Sequence, residues 1–134
     1  MRKIVLDTNA YSAFLSGDVT VRKAIVTSDL VQMSTIVIGE LYFGFFGGSK
    51  FNQNKDQLSS FLGKSNIQVI GITLETSEIF GEIQNELKGK GKPIPINDVW
   101  IAAQAVESGA KLVTFDAHFQ NVSGLRLWDG SAGK

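Results

Sequence analysis

Short apolar runs alternate with stretches of helical spacing along this chain. Arg2 to Leu6 is rich in β-branched residues and predicts a buried strand. Asp7-Thr8-Asn9 follows, three residues that favour turns and helix N-caps, so a helix over Ala10 to Leu15 is expected. Gly17-Asp18 breaks it, and Val21 to Ser28 predicts a second helix. Leu30 to Met33 reads as a strand. Ser34-Thr35 offers a cap for a helix over Ile36 to Phe46, which Gly47-Gly48-Ser49 ends. A polar helix is expected over Asn52 to Gly63 and a third strand over Ile67 to Ile72. Ile79, Ile83 and Leu87 fall four residues apart and predict a helix over Thr76 to Lys88. Asn97-Asp98 is expected to cap a helix from Val99 to Glu107, closed by Gly109. Lys111 to Phe115 reads as a fourth strand, and Val122 to Leu127 as a last edge strand. Strands alternating with helices imply an α/β fold with a parallel sheet and helices on both faces.

Composition narrows the chemistry. The 134 residues are one domain's worth, with 43% apolar and 19% charged residues. Cysteine is absent, which excludes disulfides, thiolate zinc sites and cysteine nucleophiles. A single histidine, His118, excludes a multi-histidine metal site. Asp7 cuts short the apolar run after the basic start, so a secretory leader is not expected. No stretch approaches the roughly 18 apolar residues of a membrane span. A cytoplasmic protein is the expectation. Thirteen basic groups balance thirteen acidic ones, unlike the basic excess of a nucleic-acid-coating protein. If four acids gather in one site, however, the remaining surface is mildly basic, which suits an enzyme acting on a polyanion.

The acids fall where such a site would form. Asp7 and Asp116 follow the C-terminal ends of strands, the edge where open α/β sheets bind ligands. Asp98 stands at a helix start after a loop long enough to return to that edge, and Glu40 about one turn into a helix that follows a strand. Each aspartate alone is also explained as a cap or turn residue. Glu40 is harder to explain so, because Ile36, Val37, Ile38, Leu41, Tyr42 and Phe43 surround it and burying an unpaired carboxylate is expensive. Four clustered carboxylates repel, and hard oxygen-loving ions of the Mg²⁺ type relieve the repulsion. Such a site suits phosphodiester hydrolysis, with cations roughly 3.5–4 Å apart.

Four segments resemble the PIN-domain family, and within it the VapC toxins of type II toxin–antitoxin pairs. They are Asp7-Thr8-Asn9, Glu40-Leu41-Tyr42-Phe43-Gly44, the segment Ile96-Asn97-Asp98-Val99-Trp100-Ile101-Ala102-Ala103, and Thr114-Phe115-Asp116-Ala117-His118-Phe119. The resemblance runs from Ile4 to about Leu127. It implies a three-layer α/β/α fold, with residues 1–134 as one PIN domain. It implies Mg²⁺- or Mn²⁺-dependent cleavage of single-stranded or looped RNA, leaving 5′-phosphate and 3′-hydroxyl ends. By motif match Asp7, Glu40, Asp98 and Asp116 form the acidic metal site. Asp7 and Asp98 fit as direct ligands, Glu40 as a ligand or the holder of a bound water, and Asp116 as the second-metal side. Thr8, Asn9 and Thr114 support them, and Asn97 only caps. The resemblance also implies a homodimer and an antitoxin that wraps the toxin and blocks the acids with a basic residue.

Other residues carry weaker signals. Lys88, Lys90 and Lys92 flank a glycine-rich loop before Asp98. They either hold RNA phosphates or end a helix where cations favour its dipole. Lys50 and Lys55 are weaker candidates of the same kind. His118 reads as an exposed loop residue rather than a general base. Tyr42, Phe43, Phe45 and Phe46 are too many to hide, so some are expected to be exposed for a partner helix or, less favoured, for stacking bases. Trp100 reads as core or dimer interface. Two rival enzyme and signalling classes fit less well. A haloacid-dehalogenase-like phosphatase wants an aspartate where Asn9 stands, and a receiver-type module wants one after the third strand, where Thr73 stands. A PIN-like module that binds without cutting is the remaining alternative, and the complete set of four acids speaks against it.

Overall fold

The computed structural model describes residues 1–130. In chain order they form β1 (Lys3–Leu6), α1 (Thr8–Leu15), α2 (Val19–Thr27), β2 (Leu30–Ser34), α3 (Thr35–Gly47) and α4 (Phe51–Leu62). Then follow β3 (Ile67–Ile70), α5 (Leu74–Lys90), α6 (Ile96–Ser108), β4 (Lys111–Val113), a 3₁₀ turn (Ala117–Asn121) and β5 (Arg126–Leu127). The expected α/β class is what forms, a five-stranded sheet in the order β3-β2-β1-β4-β5 with every pair parallel. The chain runs outward from β1 to β3 and then back to β4, and its helices group as α1 with α2 and α3, α3 with α4, and α5 with α6. Such sheets are covered on both sides, which explains why β1 is apolar throughout its last three residues, all of them buried.

Strand order reverses between β1 and β4. The chain steps from β1 out to β3, then crosses back to β4 and β5. The carboxyl ends of β1 and β4 therefore flank a crevice from which the flanking connections diverge. Register is set by the pairing of Leu6 with Val113, both fully buried. The next residues on the two strands are Asp7 and Thr114.

Local signals decide where each helix begins, and several boundaries differ from those read in the sequence. Asp7 is itself the N-cap of α1, accepting the Ala10 N–H at 2.8 Å, so the helix starts at Thr8 rather than Ala10. Asp18 caps α2 through the N–H groups of Thr20 and Val21, both at 3.0 Å. Asn97-Asp98 does not cap α6. The N-cap is Pro95, whose carbonyl takes the N–H groups of Asp98 and Val99, and Asp98 lies inside the first turn. The extended backbone of Pro95 starts the helix, which frees both polar side chains for other partners. β3 and β4 each stop two residues short of expectation: β3 at Ile70, with Ile72 exposed and Thr73 capping α5, and β4 at Val113, where Thr114 turns its hydroxyl to Asp7 and Phe115 is exposed. The last strand shrinks to two residues, and a 3₁₀ turn too short to show helical periodicity takes up the chain before it. Gly91 and Gly109 end α5 and α6 with φ of 67° and 69°, a conformation that costs glycine little.

Helix-to-helix contacts complete the frame. Trp100 on α6 stacks on Phe80 of α5, ring centroids 3.8 Å apart, and is half-buried there. Thr73 and Thr76 form a capping box at the start of α5, and both hydroxyls also donate to the carboxylate of Glu107 on α6. Thr76 is fully buried. Thr76→Val removes a cap acceptor and a donor to Glu107 together. It should lower the unfolding free energy by about 1–2 kcal/mol, read from urea denaturation, with the far-UV spectrum unchanged.

Candidate active site

Carboxylates gather at the carboxyl ends of β1 and β4. Asp7 is 3% exposed and held at three points. Its N–H donates to the Val113 carbonyl at 3.2 Å, one carboxylate oxygen accepts from Ala10 N–H, and the other accepts the Thr114 hydroxyl. Thr114 in turn accepts the Asp116 N–H at 3.0 Å, which fixes the start of the loop that carries Asp116. One threonine thus links two acids whose strands end side by side.

The other half of the rim comes from α3 and α6. The Thr8 hydroxyl donates to Glu40 Oε1 at 2.6 Å. The Asn97 side-chain amide reaches Glu40 Oε2 at 3.5 Å, so Asn97 is a neighbour of the acids and not the cap that the sequence suggested. Glu40 is half-buried, which agrees with its apolar surroundings along α3. Asp98, one position after Asn97, is half-buried, and its Oδ2 lies 2.9 Å from His118 Nε2. His118 is therefore not the exposed loop residue expected. The 3₁₀ turn seats it partly buried beside Phe119, which is completely buried. Only a short motif with no helical periodicity carried this placement, and the two-residue step from Asp116 was its one sequence signal.

The electrostatics follow from crowding. Burial pushes the Asp7 carboxyl above its ordinary value, against the Thr114 and Ala10 hydrogen bonds that lower it, and the nearby charges of Asp116 and Asp98 push it further up. Burial also raises Asp98, with Glu40 and Asp116 adding to the rise and His118 opposing it. All four predicted acids thus come together at one rim and feel one another. Within it, single ligand atoms of Asp98, Asp116 and His118 lie within 4.8 Å of one another. Asn9 is exposed and joins none of these bonds. Among the described residues no lysine or arginine pairs with any of the four acids. Negative charge gathered without a lysine or arginine partner, on donors that are almost all oxygen, fits a hard divalent cation.

The three lysines behave differently. Lys88 and Lys92 are exposed near the C-terminal end of α5. Lys90 is tied down, donating to the Asn121 carbonyl at 2.9 Å and the Ser123 hydroxyl at 3.4 Å, with Glu86 at 3.6 Å. It fastens the segment that follows the 3₁₀ turn. Lys50 and Lys55 are exposed. Along α3, Phe43 and Phe46 are 82% and 72% exposed, whereas Tyr42 and Phe45 are half-buried against Phe51. Phe46 also lies against Phe51, ring centroids 4.4 Å apart, so it is exposed on one side of the ring. No described helix is long and apolar enough to cross a membrane.

Comparison with known proteins agrees with this geometry. The PIN domain family model matches residues 4–125. Ribonuclease VapC2 of Rickettsia felis is 33% identical over 105 residues, covering 76% of this chain and 77% of that protein. Among solved structures, VapBC-1 of nontypeable Haemophilus influenzae superposes with a TM-score of 0.86 at 26% identity, over 96% of this chain and 98% of that one. VapBC2 of Rickettsia felis bound to a promoter DNA fragment gives 0.82 at 28% identity, over 94% and 97%. With its sheet order, its acidic rim and these relatives, the chain belongs to the PIN-domain family, within its VapC group.

Proposed function

We propose that this protein is a metal-dependent endoribonuclease acting as the toxin of a toxin–antitoxin pair. The observation that carries the reading is the convergence of Asp7, Glu40, Asp98 and Asp116 at the strand-order reversal, with no lysine or arginine among the described residues paired to them and His118 alone beside Asp98. Relatives named as ribonucleases and as VapBC complexes support both the activity and the partner.

In this reading Asp7, Asp98 and Asp116 hold Mg²⁺ or Mn²⁺, and Glu40 holds the cation or its water. A divalent cation bound there supplies Lewis acidity to the scissile phosphate and makes water a competent nucleophile near neutral pH. The chain's own residues do the rest. Thr114 keeps one oxygen of Asp7 turned away from the helix cap, while Thr8 and Asn97 fix both oxygens of Glu40. Orientation of this kind matters, because ligands left loose lose affinity and rate. The oxygen of water joins phosphorus and the 3′ oxygen departs, so the RNA products carry 5′-phosphate and 3′-hydroxyl ends. In this reading Lys88 and Lys92, both exposed near the C-terminal end of α5, meet substrate phosphates as point charges.

Phe43 and Phe46 offer an apolar surface for an antitoxin segment on the helix that carries Glu40, since exposed aromatics on a helix suit an amphipathic partner. The chain acts in this reading as one PIN domain and as a homodimer in the cytoplasm. Phosphatase and receiver readings fall with membership of the PIN family, and the exposed Asn9 stands where the phosphatase would need its second aspartate.

Two tests follow. Purified protein incubated with a labelled RNA pool should cut in Mg²⁺ or Mn²⁺ and stop in EDTA. Asp7→Asn and Asp98→Asn, prepared identically, should cut at least about a hundredfold more slowly, given the losses that follow even from disturbing a ligand's support. Wild-type rates in either variant would remove that residue from the site. The second test reads stability. The folded Asp7 holds its proton above the ordinary value of 3.8. Unfolded chains ionise there first, so the Asp7 contribution to stability falls as pH rises from that value to the raised folded one. Without a cation, Asp7→Asn should therefore melt higher than wild type, with the gap wider at about pH 7.5 than at about pH 4.5. Thermal melts in EDTA read the difference, and a gap independent of pH would contradict the burial argument.

A further inference from the structure

We propose that His118 is a direct ligand of the cation, coordinating through Nε2 beside Asp98 and Asp116. The inference rests on the metal-dependent reading above and extends it to a residue outside the four acids. Its first support is distance. Nε2 lies 2.9 Å from Asp98 Oδ2, and single ligand atoms of Asp98, Asp116 and His118 fall within 4.8 Å of one another. Adjacent ligands on an octahedral ion with bonds of about 2.1 Å stand about 3 Å apart. The imidazole and the carboxylate have that separation in a direct hydrogen bond, which a cation bound between them would replace.

The second support is how the imidazole is held. The ring packs at 4.7 Å from Phe119, and Phe119 is completely buried. The segment is pinned before His118 by the Asp116 N–H on Thr114, and after it by Lys90 on the Asn121 carbonyl. His118 therefore faces the acids from a fixed turn, as a ligand must to bind without a large ordering cost. The third support is donor chemistry. Both Mg²⁺ and Mn²⁺ favour oxygen donors, but Mn²⁺, as a transition ion, admits an imidazole nitrogen more readily than Mg²⁺ does. A nitrogen at this rim biases the site towards Mn²⁺.

His118 is the only histidine of the chain, so an imidazole signal has one source. The test is pulsed EPR of Mn²⁺ bound to the full chain carrying no histidine tag, with a parallel sample labelled with ¹⁵N-histidine. The expected result is imidazole nitrogen coupling in the wild type that changes with the label and is absent in His118→Gln. Mn²⁺ affinity of that variant, by calorimetry, should fall about tenfold while Mg²⁺ affinity changes less. Bound Mn²⁺ with RNA cleavage but no nitrogen coupling would overturn the ligand assignment and leave the ribonuclease reading standing. Neither Mn²⁺ binding nor cleavage in any metal would overturn both.

Discussion

Like-charge crowding at the seam between β1 and β4 is the constraint on which the rest of this structure turns. A parallel sheet offers its strand ends on one edge, and the reversal of strand order opens a crevice there. The pairing of Leu6 with Val113 sets Asp7 next to Thr114. Nothing in the hydrophobic core asks for acids at that place. Burial and mutual repulsion both work against their charges, as the raised Asp7 and Asp98 carboxyls record. The fold tolerates this because the strain is local and the frame is anchored elsewhere, by buried central strands and by the α5–α6 contacts.

Neutral donors hold the acids in place without cancelling them. Thr114 and Thr8 are hydroxyls, Asn97 is an amide, and Ala10 contributes a backbone N–H. A lysine or arginine in any of these places would orient a carboxylate equally well. It would also neutralise the charge that attracts a cation. Polar but uncharged partners separate the two tasks of aiming a ligand and keeping it negative.

Much of this was legible in the sequence, for identifiable reasons. Central strands of a parallel sheet must be apolar on both faces, so Arg2 to Leu6 and Lys111 to Phe115 stood out as runs. The four acids were visible because three follow or precede element ends and Glu40 interrupts an apolar helix. Less visible were features set by contacts distant in sequence. Asn97-Asp98 looked like a cap because those residue types usually are, but Pro95 takes that role through backbone alone. The seating of His118 depends on a five-residue turn anchored by Phe119, too short for any periodicity. Lys90 looked like its neighbours until its reach to Asn121 set it apart. The seam hydrogen bond of Thr114 joins residues 107 positions apart, which no local pattern encodes.

Helix α3 carries Glu40, Phe43 and Phe46 on one rigid rod. At 1.5 Å of rise per residue, the exposed aromatics lie only about 4.5 and 9 Å along the axis from Glu40. Extended chain covers about 3.3 Å per residue. Phe43 projects about 60° round the helix from Glu40 and Phe46 about 120°, so a peptide gripping Phe43 needs only about three further residues to lay a side chain over the acids. The distance from anchor to active centre is short enough that the grip and the plug can belong to a single short segment, and a blocker of this site need be no larger than a small peptide.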